Sequence, residues 1–237
     1  MSLRTVLFDL DGTLLPMDQD VFVKTYFKGI AAKLAPIGYD PKQLIDTIWA
    51  GTVAMIKNNG HKTNEEVFWD FFSGIYGEAS RNDEQYFEEF YKTDFQKVQY
   101  VCGFDPKAAE LVHKIKDTGI CVVLATNPIF PSIATESRIR WAGLMPEDFE
   151  LYTTYENISY SKPNLEYYLE ITRRLSVSPK DCLMVGNDVD DDMVASQIGM
   201  RVFLLTDNLI NKNKVDISVF PNGSFEQLSE YLEKMLI

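Results

Sequence analysis

Residues 5–13 decide the fold, and they read Thr5-Val6-Leu7-Phe8-Asp9-Leu10-Asp11-Gly12-Thr13. A short run of β-branched and aromatic residues that ends in acidic ones is typical of a fully buried parallel strand followed by a polar loop. Ligands of open α/β sheets bind at this carboxyl end of the strands. The stretch therefore predicts an α/β fold with a functional loop directly after its first strand.

Three later apolar runs have the same character, at residues 120–125, 182–185 and 201–205. Helical patterns accompany them: one begins at Asp105 and Pro106, and others carry apolar stripes from Leu165 and from Phe225. Alternation of strands and helices predicts βαβ units, and hence a parallel sheet with helices on both faces.

Between residues 17 and 100 four helical patterns follow one another without a convincing strand. Asp40 and Pro41 supply one helix start, and Thr63 with Glu66 forms a capping box for the next. The start signal of the fourth pattern is formed by Asn82 and Gln85. The four stripes are Phe22, Tyr26, Ile30 and Leu34; Ile45, Ile48, Trp49, Thr52 and Ile56; Phe68, Phe71, Phe72 and Ile75; and Phe87, Phe90, Tyr91 and Phe95. They predict the core of an inserted helical bundle rather than a cofactor pocket.

The composition narrows the classes of function. With 23 Lys and Arg against 35 Asp and Glu, the net charge of −12 disfavours binding to a nucleic acid polymer or an anionic membrane. The hydrophobic fraction of 46% excludes global disorder. Cys102, Cys121 and Cys182 lack the spacing of a zinc site or a CxxC motif, and the first apolar run is too short for a signal peptide. We expect a soluble cytoplasmic protein.

The acidic loop after the first strand places two carboxylates two residues apart. In an extended chain, Asp9 and Asp11 point the same way, and they repel each other unless a cation joins them or one is protonated. Gly12 permits a sharp turn, and Thr13 can fix the loop by hydrogen bonding. The alternative is a solvated Asp-Gly turn, which is less expected directly after a buried strand.

A second acidic stretch follows the run at 182–185 and extends from Gly186 to Met193. An EF-hand is excluded, because the sixth loop position counted from Asp188 is Met193 and the twelfth is Gly199. A solvated acidic turn remains an alternative. Asp188 fits a Mg²⁺ site, since Mg²⁺ takes one or two carboxylates together with water and phosphate.

Two further segments add polar residues of a different kind. Thr126 and Asn127 follow the run at 120–125, and Lys162 with Pro163 precedes the helix expected after Asn164. A threonine hydroxyl can donate to a phosphate oxygen, and a lysine can neutralise its charge. Each signal alone is weak, and their value lies in their order along the chain.

Taken together, these four motifs resemble those of the haloacid dehalogenase superfamily, which is dominated by Mg²⁺-dependent phosphatases. The resemblance implies a Rossmann-like core formed by residues 1–15 and 101–237. It also implies an α-helical cap of the C1 type at residues 16–100.

The resemblance further implies a role for each motif residue. Asp9 would be the nucleophile and Asp11 the general acid and base. Asp9, the backbone carbonyl of Asp11, and Asp188 would hold Mg²⁺. Lys162 would act in catalysis and bind the substrate phosphate. Thr126 and Asn127 would also bind the substrate phosphate. Four residues would support the site: Gly12, Thr13, Asn187 and Asp192.

The late acidic motif departs from the family pattern, because Asn187 stands where an aspartate usually follows the glycine. In one register Asn187 takes the metal-side position, with Asp191 or Asp192 as the outer residue. In the other, Asp188 binds the metal and Asp192 lies four residues later. We prefer the second register, because a carboxylate is a better ligand for a hard cation than an amide.

Several activities are compatible with this core. The acid Asp11 favours hydrolysis of a small phosphorylated metabolite over dehalogenation, because a departing halide needs no proton. A phosphomutase and a catalytically degenerate phosphate- or metal-binding member remain alternatives. A receiver domain fits poorly, since it lacks a long helical insertion. Residues 58–62 between two cap helices are either a specificity loop or a solvated turn. The sequence leaves the oligomeric state open.

Overall fold

The apolar runs of the sequence form the strands of one parallel sheet. In the computed structural model, which describes residues 3–236, the sheet has six strands in the order β3-β2-β1-β4-β5-β6. The strands are β1 (Thr5–Phe8), β2 (Cys121–Leu124), β3 (Leu151–Tyr152), β4 (Cys182–Gly186), β5 (Arg201–Leu205) and β6 (Asn222–Gly223). Residues 1, 2 and 237, which are the outer ends of the predicted core domain, lie outside the described residues.

The first strand occupies the middle of the sheet and is buried on both faces. Val6 pairs with Val122 of β2 on one side and with Leu183 of β4 on the other. The predicted parallel sheet is therefore confirmed. The short strands β3 and β6 were not predicted, because two residues are too few to show a periodicity.

The insertion consists of helical segments from residue 19 to residue 101. Its helices are α1 (Gln19–Leu34), α2 (Pro41–Ile56), α3 (Asn64–Tyr76) and α4 (Glu84–Lys92), joined by 3₁₀ segments at 35–37 and 78–83 and followed by one at 94–101. Asp40 caps α2 by accepting the Gln43 N–H at 2.8 Å. The capping box of Thr63 and Glu66 at α3 is confirmed.

The structure corrects two details of the predicted bundle. The buried face of α2 is formed by Leu44, Thr47, Ile48, Gly51 and Met55, whereas Trp49 is 55% exposed. The predicted stripe was out of phase because α2 carries apolar residues on most of its circumference. The predicted start signal of α4 was also wrong, because the residue before the helix is Asp83 and not Asn82. Gln85 Nε2 donates to the backbone carbonyl of Asn82 at 3.0 Å, and the Asn82 side chain takes no part.

Four helices pack against the sheet: α5 (Pro106–Asp117), α6 (Ser132–Trp141), α7 (Leu165–Leu175) and α8 (Phe225–Leu236). Val6 and Phe8 belong to the apolar cluster that also contains α5 and α8 residues. Leu7 belongs to a second cluster with Tyr167, Tyr168 and other α7 residues. Because alternate residues of β1 point to opposite faces, the helices cover both sides of the sheet, as predicted.

The two ends of the insertion contact each other. Met17 and Cys102 form an isolated bridge, and the Gly103 N–H donates to the Pro16 carbonyl at 2.7 Å. This contact supports the predicted division into a core and a cap at 16–100, which stays a prediction. Within residues 3–236, no helix has both the length and the apolar character needed to cross a membrane.

Candidate active site

The loop after β1 is a tight turn closed by its own backbone. The N–H groups of Thr13 and Leu15 both donate to the Leu10 carbonyl, at 3.1 and 2.9 Å. Gly12 adopts φ +85°, and a Cβ there would lie 2.4 Å from Asn187 Nδ2. The turn therefore requires glycine for its backbone conformation and for the close approach of the loop after β4.

Asp9 lies at the carboxyl end of β1, where two hydrogen bonds orient its carboxylate. Lys162 Nζ donates to Oδ1 at 2.8 Å, and Thr13 Oγ1 donates to Oδ2 at 3.3 Å. Lys162 also donates to Asp192 Oδ1 at 2.6 Å, and all three side chains are buried. Burial alone would lower the pKa of Lys162, but Asp192 and Asp9 outweigh it and hold that pKa well above its ordinary value. The lysine is therefore a fixed positive charge against Asp9.

Asp11 is paired with a residue that sequence reasoning missed. Arg138 of α6 donates from Nη1 to Asp11 Oδ2 and is itself fully buried. Its guanidinium carbon lies 4.5 Å from the centre of the Phe130 ring. Burial raises the pKa of Asp11 and the negative charge of Asp9 acts in the same direction, whereas Arg138 opposes them. Asp11 Oδ1 is buried and has no donor among the described residues.

The residues after β2 lie beside this pair. The carbonyl of Thr126 accepts hydrogen bonds from Thr153 Oγ1 at 2.6 Å and from the Tyr167 hydroxyl at 2.8 Å. Asn127 Nδ2 donates to Asp191 Oδ2 at 3.3 Å. Within the described part of the chain, Asn127 Oδ1 is buried without a donor. The backbone of this segment is thus fixed, while an acceptor faces the site unpaired.

The loop after β4 gives Asn187 and Asp188 different surroundings. The Asn187 amide is held at both ends: its Oδ1 lies 3.1 Å from Thr13 Oγ1, whose one proton it shares with Asp9 Oδ2, and its Nδ2 donates to the Asn208 carbonyl at 2.7 Å. Asp188 Oδ1 accepts the N–H groups of Asp190 and Asp191 at 2.8 and 3.0 Å. None of the hydrogen bonds found within residues 3–236 engages Asp188 Oδ2.

Gly186 leaves room for the Asp192 side chain to pack against the backbone of β4. A Cβ at Gly186 would lie 2.0 Å from Asp192 Oδ2, which instead accepts the Asp188 N–H at 3.0 Å. Burial raises the pKa of Asp192, while Lys162 opposes this effect. Burial also raises the pKa of Asp191 to about 6. Asp192 therefore positions Lys162 and the loop at the same time.

These side chains surround one cavity of about 180 Å³. Every residue of the predicted catalytic, phosphate-binding and metal-binding sets lines it, and so do the supporting residues Asn187 and Asp192. The supporting residues Gly12 and Thr13 lie behind it, in contact with Asn187. The four motifs, which lie far apart along the chain, are thus close together in space.

The donor set of this cavity suits a hard divalent cation. Five carboxylates line it against two lysines, Lys162 and Lys212, and the acceptors Asp11 Oδ1 and Asn127 Oδ1 have no donor within residues 3–236. No group of three or more His, Cys, Asp or Glu side chains in that range is arranged to hold a metal alone. A cation would therefore also need carbonyl, water or phosphate ligands, which Mg²⁺ accepts.

The insertion contributes Met17, Gln19, Phe22 and Val23 to the cavity wall. The polar segment 58–62 is not part of the described wall. Asn58 Nδ2 donates to Asn64 Oδ1 at 2.9 Å, and Lys62 pairs with Asp70 at 2.5 Å. These contacts hold the segment as a turn between α2 and α3.

Comparisons with known proteins place this site in context. A family model described as haloacid dehalogenase-like hydrolase matches residues 3–199. A glyceraldehyde 3-phosphate phosphatase of Methanothermobacter thermautotrophicus is 30% identical over 92 residues, which are 35% of this chain and 40% of that protein. The chain covers between 25% and 53% of the length of the curated relatives that it matches.

Solved structures resemble the whole fold at lower sequence identity. A HAD phosphatase from Thermococcus onnurineus has a TM-score of 0.60 at 18% identity, with 97% of each chain covered. A 2-haloacid dehalogenase from Pseudomonas syringae pv. Tomato DC3000 has a TM-score of 0.61 at 19% identity, covering 98% of this chain and 99% of that one. Because both kinds of protein share the fold, the chemistry has to be argued from the site.

Proposed function

The chain belongs to the haloacid dehalogenase-like hydrolases, and from this membership we propose that it is a Mg²⁺-dependent phosphatase acting through an aspartyl-phosphate. The observation that carries the proposal is the arrangement around Asp9. One oxygen of this carboxylate is held by Lys162 at 2.8 Å, and Asp11 lines the same cavity with its Oδ1 unpaired by any described donor. A nucleophile, a fixed cation and a proton-transferring group therefore share one small space.

In the first half of the reaction, a carboxylate oxygen of Asp9 attacks phosphorus while the bond to the leaving oxygen breaks. Asp11 gives its proton to that oxygen as it departs, and burial of Asp11 favours the protonated form needed for this step. Lys162 and the Thr126 hydroxyl bind the phosphoryl oxygens and offset their growing charge.

In the second half, water attacks the phosphorus of the aspartyl-phosphate and gives a proton to Asp11. The bond between phosphorus and the Asp9 oxygen breaks, which releases inorganic phosphate and restores both carboxylates to their starting states. Asp9, the backbone carbonyl of Asp11, and Asp188 would hold Mg²⁺, which neutralises the repulsion between Asp9 and an incoming phosphate dianion. Asn187 and Asp192 keep the loop and Lys162 in place.

The acid Asp11 is also the reason to prefer a phosphate ester over a haloacid as substrate. An alkoxide leaving group needs a proton, whereas a halide does not. The cavity of about 180 Å³ suits the phosphate end of a small metabolite. We further propose a cytoplasmic location, because Cys102, Cys121 and Cys182 are free thiols.

The proposal is tested by metal removal. Protein treated with EDTA and then freed of the chelator should release no phosphate from p-nitrophenyl phosphate, and added Mg²⁺ should restore activity. Calorimetric titration of the stripped protein with Mg²⁺ gives a readout independent of turnover. Equal rates with and without Mg²⁺ would contradict the metal dependence.

The register of the late acidic motif gives a second prediction. We expect Asp188→Ala to abolish Mg²⁺-dependent activity, because Asp188 Oδ2 is the carboxylate oxygen left free for a cation, while Asn187→Ala should retain a measurable fraction. Asp188→Asn is the matched control, since an amide oxygen still accepts the N–H groups of Asp190 and Asp191 but carries no charge. Loss of Mg²⁺ binding in Asn187→Ala, with Asp188→Asn near wild type, would favour the other register.

A further inference from the structure

A second cavity, of about 80 Å³, lies between the cap helices and the loop after β2. We call it the cap cavity; residues of α1 to α4, residues 129–131 and Tyr155 line it. Val23, Ile129 and Phe130 line both the cap cavity and the catalytic cavity. The two spaces are therefore neighbours separated by a wall of three apolar side chains.

The chemistry of the cap cavity differs from that of its neighbour. Its described lining contains no Asp, Glu, Lys, Arg or His. The hydroxyls of Tyr26 and Tyr91 are already bonded to each other at 2.9 Å. Transfer of a charged or polyhydroxylated group into such surroundings is unfavourable, whereas an apolar group gains free energy.

Aromatic rings form much of the lining. Trp69 lines the cavity with 4% of its surface exposed, and its indole lies beside the Tyr155 side chain, which also lines it. The rings of Phe68 and Phe87 belong to the same lining. The surface that a bound group would meet is therefore largely apolar ring surface.

The wall between the cavities is connected to the proton-transferring group. The Phe130 ring lies against Arg138, which in turn pairs with Asp11. In a phosphate ester, the oxygen that receives the proton lies between phosphorus and the organic group. With phosphorus at Asp9, the organic group of a bound ester can extend past Asp11 toward this wall.

We propose that the cap cavity receives the organic part of the substrate, and that this part is a short, uncharged apolar chain. The inference rests on the proposed phosphatase activity and names its substrate class. A volume of about 80 Å³ holds a group of a few carbon atoms; a cavity of roughly 150 Å³ is known to take benzene.

Two esters that differ only in apolar size provide the test. Ethyl phosphate and 3-methylbutyl phosphate release alcohols of similar acidity, so a difference in rate reports binding of the chain. We expect kcat/KM to be on the order of 60-fold higher for 3-methylbutyl phosphate, from about 0.8 kcal/mol for each of the three added carbons. A similar kcat/KM for both esters, with ethyl phosphate hydrolysed, would overturn this inference and leave the phosphatase proposal standing.

Filling the cavity should remove the preference. Thr52 lines it from α2, and Thr52→Phe places a ring there without touching the catalytic residues. Thr25→Phe is the matched control, because Thr25 on α1 makes the same bond to the carbonyl four residues earlier but is not in the described lining. We expect Thr52→Phe to hydrolyse both esters equally well and Thr25→Phe to keep the wild-type ratio; an unchanged ratio in Thr52→Phe would overturn the inference.

A binding measurement makes the test independent of turnover. Trp49 and Trp69, two of the three tryptophans, line the cap cavity. We expect a saturable change of tryptophan fluorescence with 3-methylbutylphosphonate but not with ethylphosphonate. If Thr52→Phe does not fold, Thr52→Leu is used in its place and should weaken the binding of 3-methylbutylphosphonate. The same fluorescence response to both phosphonates would overturn the inference. If the wild type hydrolysed neither ester, the phosphatase proposal would be overturned together with it.

Discussion

Asp9→Asn will lower the rate of phosphate release by at least about 10³-fold, since the loss of a nucleophile removes the covalent route altogether. An amide is nearly isosteric with the carboxylate but cannot attack phosphorus. The fold should survive, because the amide oxygen can still accept from Lys162, and Lys162 keeps Asp192 at 2.6 Å. The loss is therefore expected in kcat and not in the free energy of unfolding.

Asp190→Asn is the matched control for this variant. Asp190 belongs to the same acidic loop as Asp188, but its side chain accepts from Asn213 at 2.8 Å and is not in the described wall of the catalytic cavity. Its activity should equal that of the wild type. Mass spectrometry after acid quenching should find one phosphoryl group on the wild-type chain and none on Asp9→Asn. An Asp9→Asn protein that keeps more than a tenth of the wild-type rate would refute Asp9 as the nucleophile.

The sequence predicted the sheet well because its central strands are buried on both faces. Thr5–Phe8 and Cys182–Gly186 are short, fully buried and mostly apolar runs, as expected for strands inside a sheet, and each ends in a polar loop. Asp9 and Thr126 each follow a predicted strand, and the carboxyl ends of parallel strands lie on the same side of a sheet. Lys162 was assigned through the family resemblance, because the short strand β3 before it was not predicted. The structure places all three at one cavity.

Helix α6 and its arginine were missed for a physical reason. The buried face of α6 includes Thr135, Ser137 and Arg138, so the helix shows no apolar stripe. Arg138 and Arg140 look alike in the sequence, yet the first is fully buried against Asp11 and the second is half exposed and pairs with Glu136. Only the position of Asp11 in space distinguishes them, and no local pattern carries that information.

The cap shows the same limit in another form. Apolar stripes correctly predicted a helical bundle, but they do not indicate where the bundle packs imperfectly. The cap cavity exists because residues of all four cap helices and of the loop at 129–131 fail to close the space between them. Such a gap depends on helix crossing and side-chain volume together, which sequence periodicity does not report.

Lys162→Met is expected to cause the largest loss of stability among these variants. Lys162 Nζ lies 2.8 Å from Asp9 Oδ1 and 2.6 Å from Asp192 Oδ1, and all three residues are buried. Methionine matches the length of the lysine chain but leaves two buried carboxylates without their shared cation. Breaking a buried pair in this way costs about 3–5 kcal/mol, so the free energy of unfolding in urea without Mg²⁺ should fall by roughly that amount.

A second substitution separates lost charge pairing from lost packing. In Lys162→Met/Asp192→Asn one of the two stranded charges is removed, while Asp192 Oδ2 can be replaced by an amide oxygen that accepts the Asp188 N–H. The double variant should therefore be more stable than Lys162→Met alone, by about 1–2 kcal/mol if an unpaired buried charge is the cause. Lys42→Met is the control, because Lys42 is 86% exposed in its pair with Asp46 and its loss should leave the free energy of unfolding close to that of the wild type. If the double variant were less stable than Lys162→Met, the stabilising role of this lysine would lie in its packing, and the charge argument for its place beside Asp9 would fail.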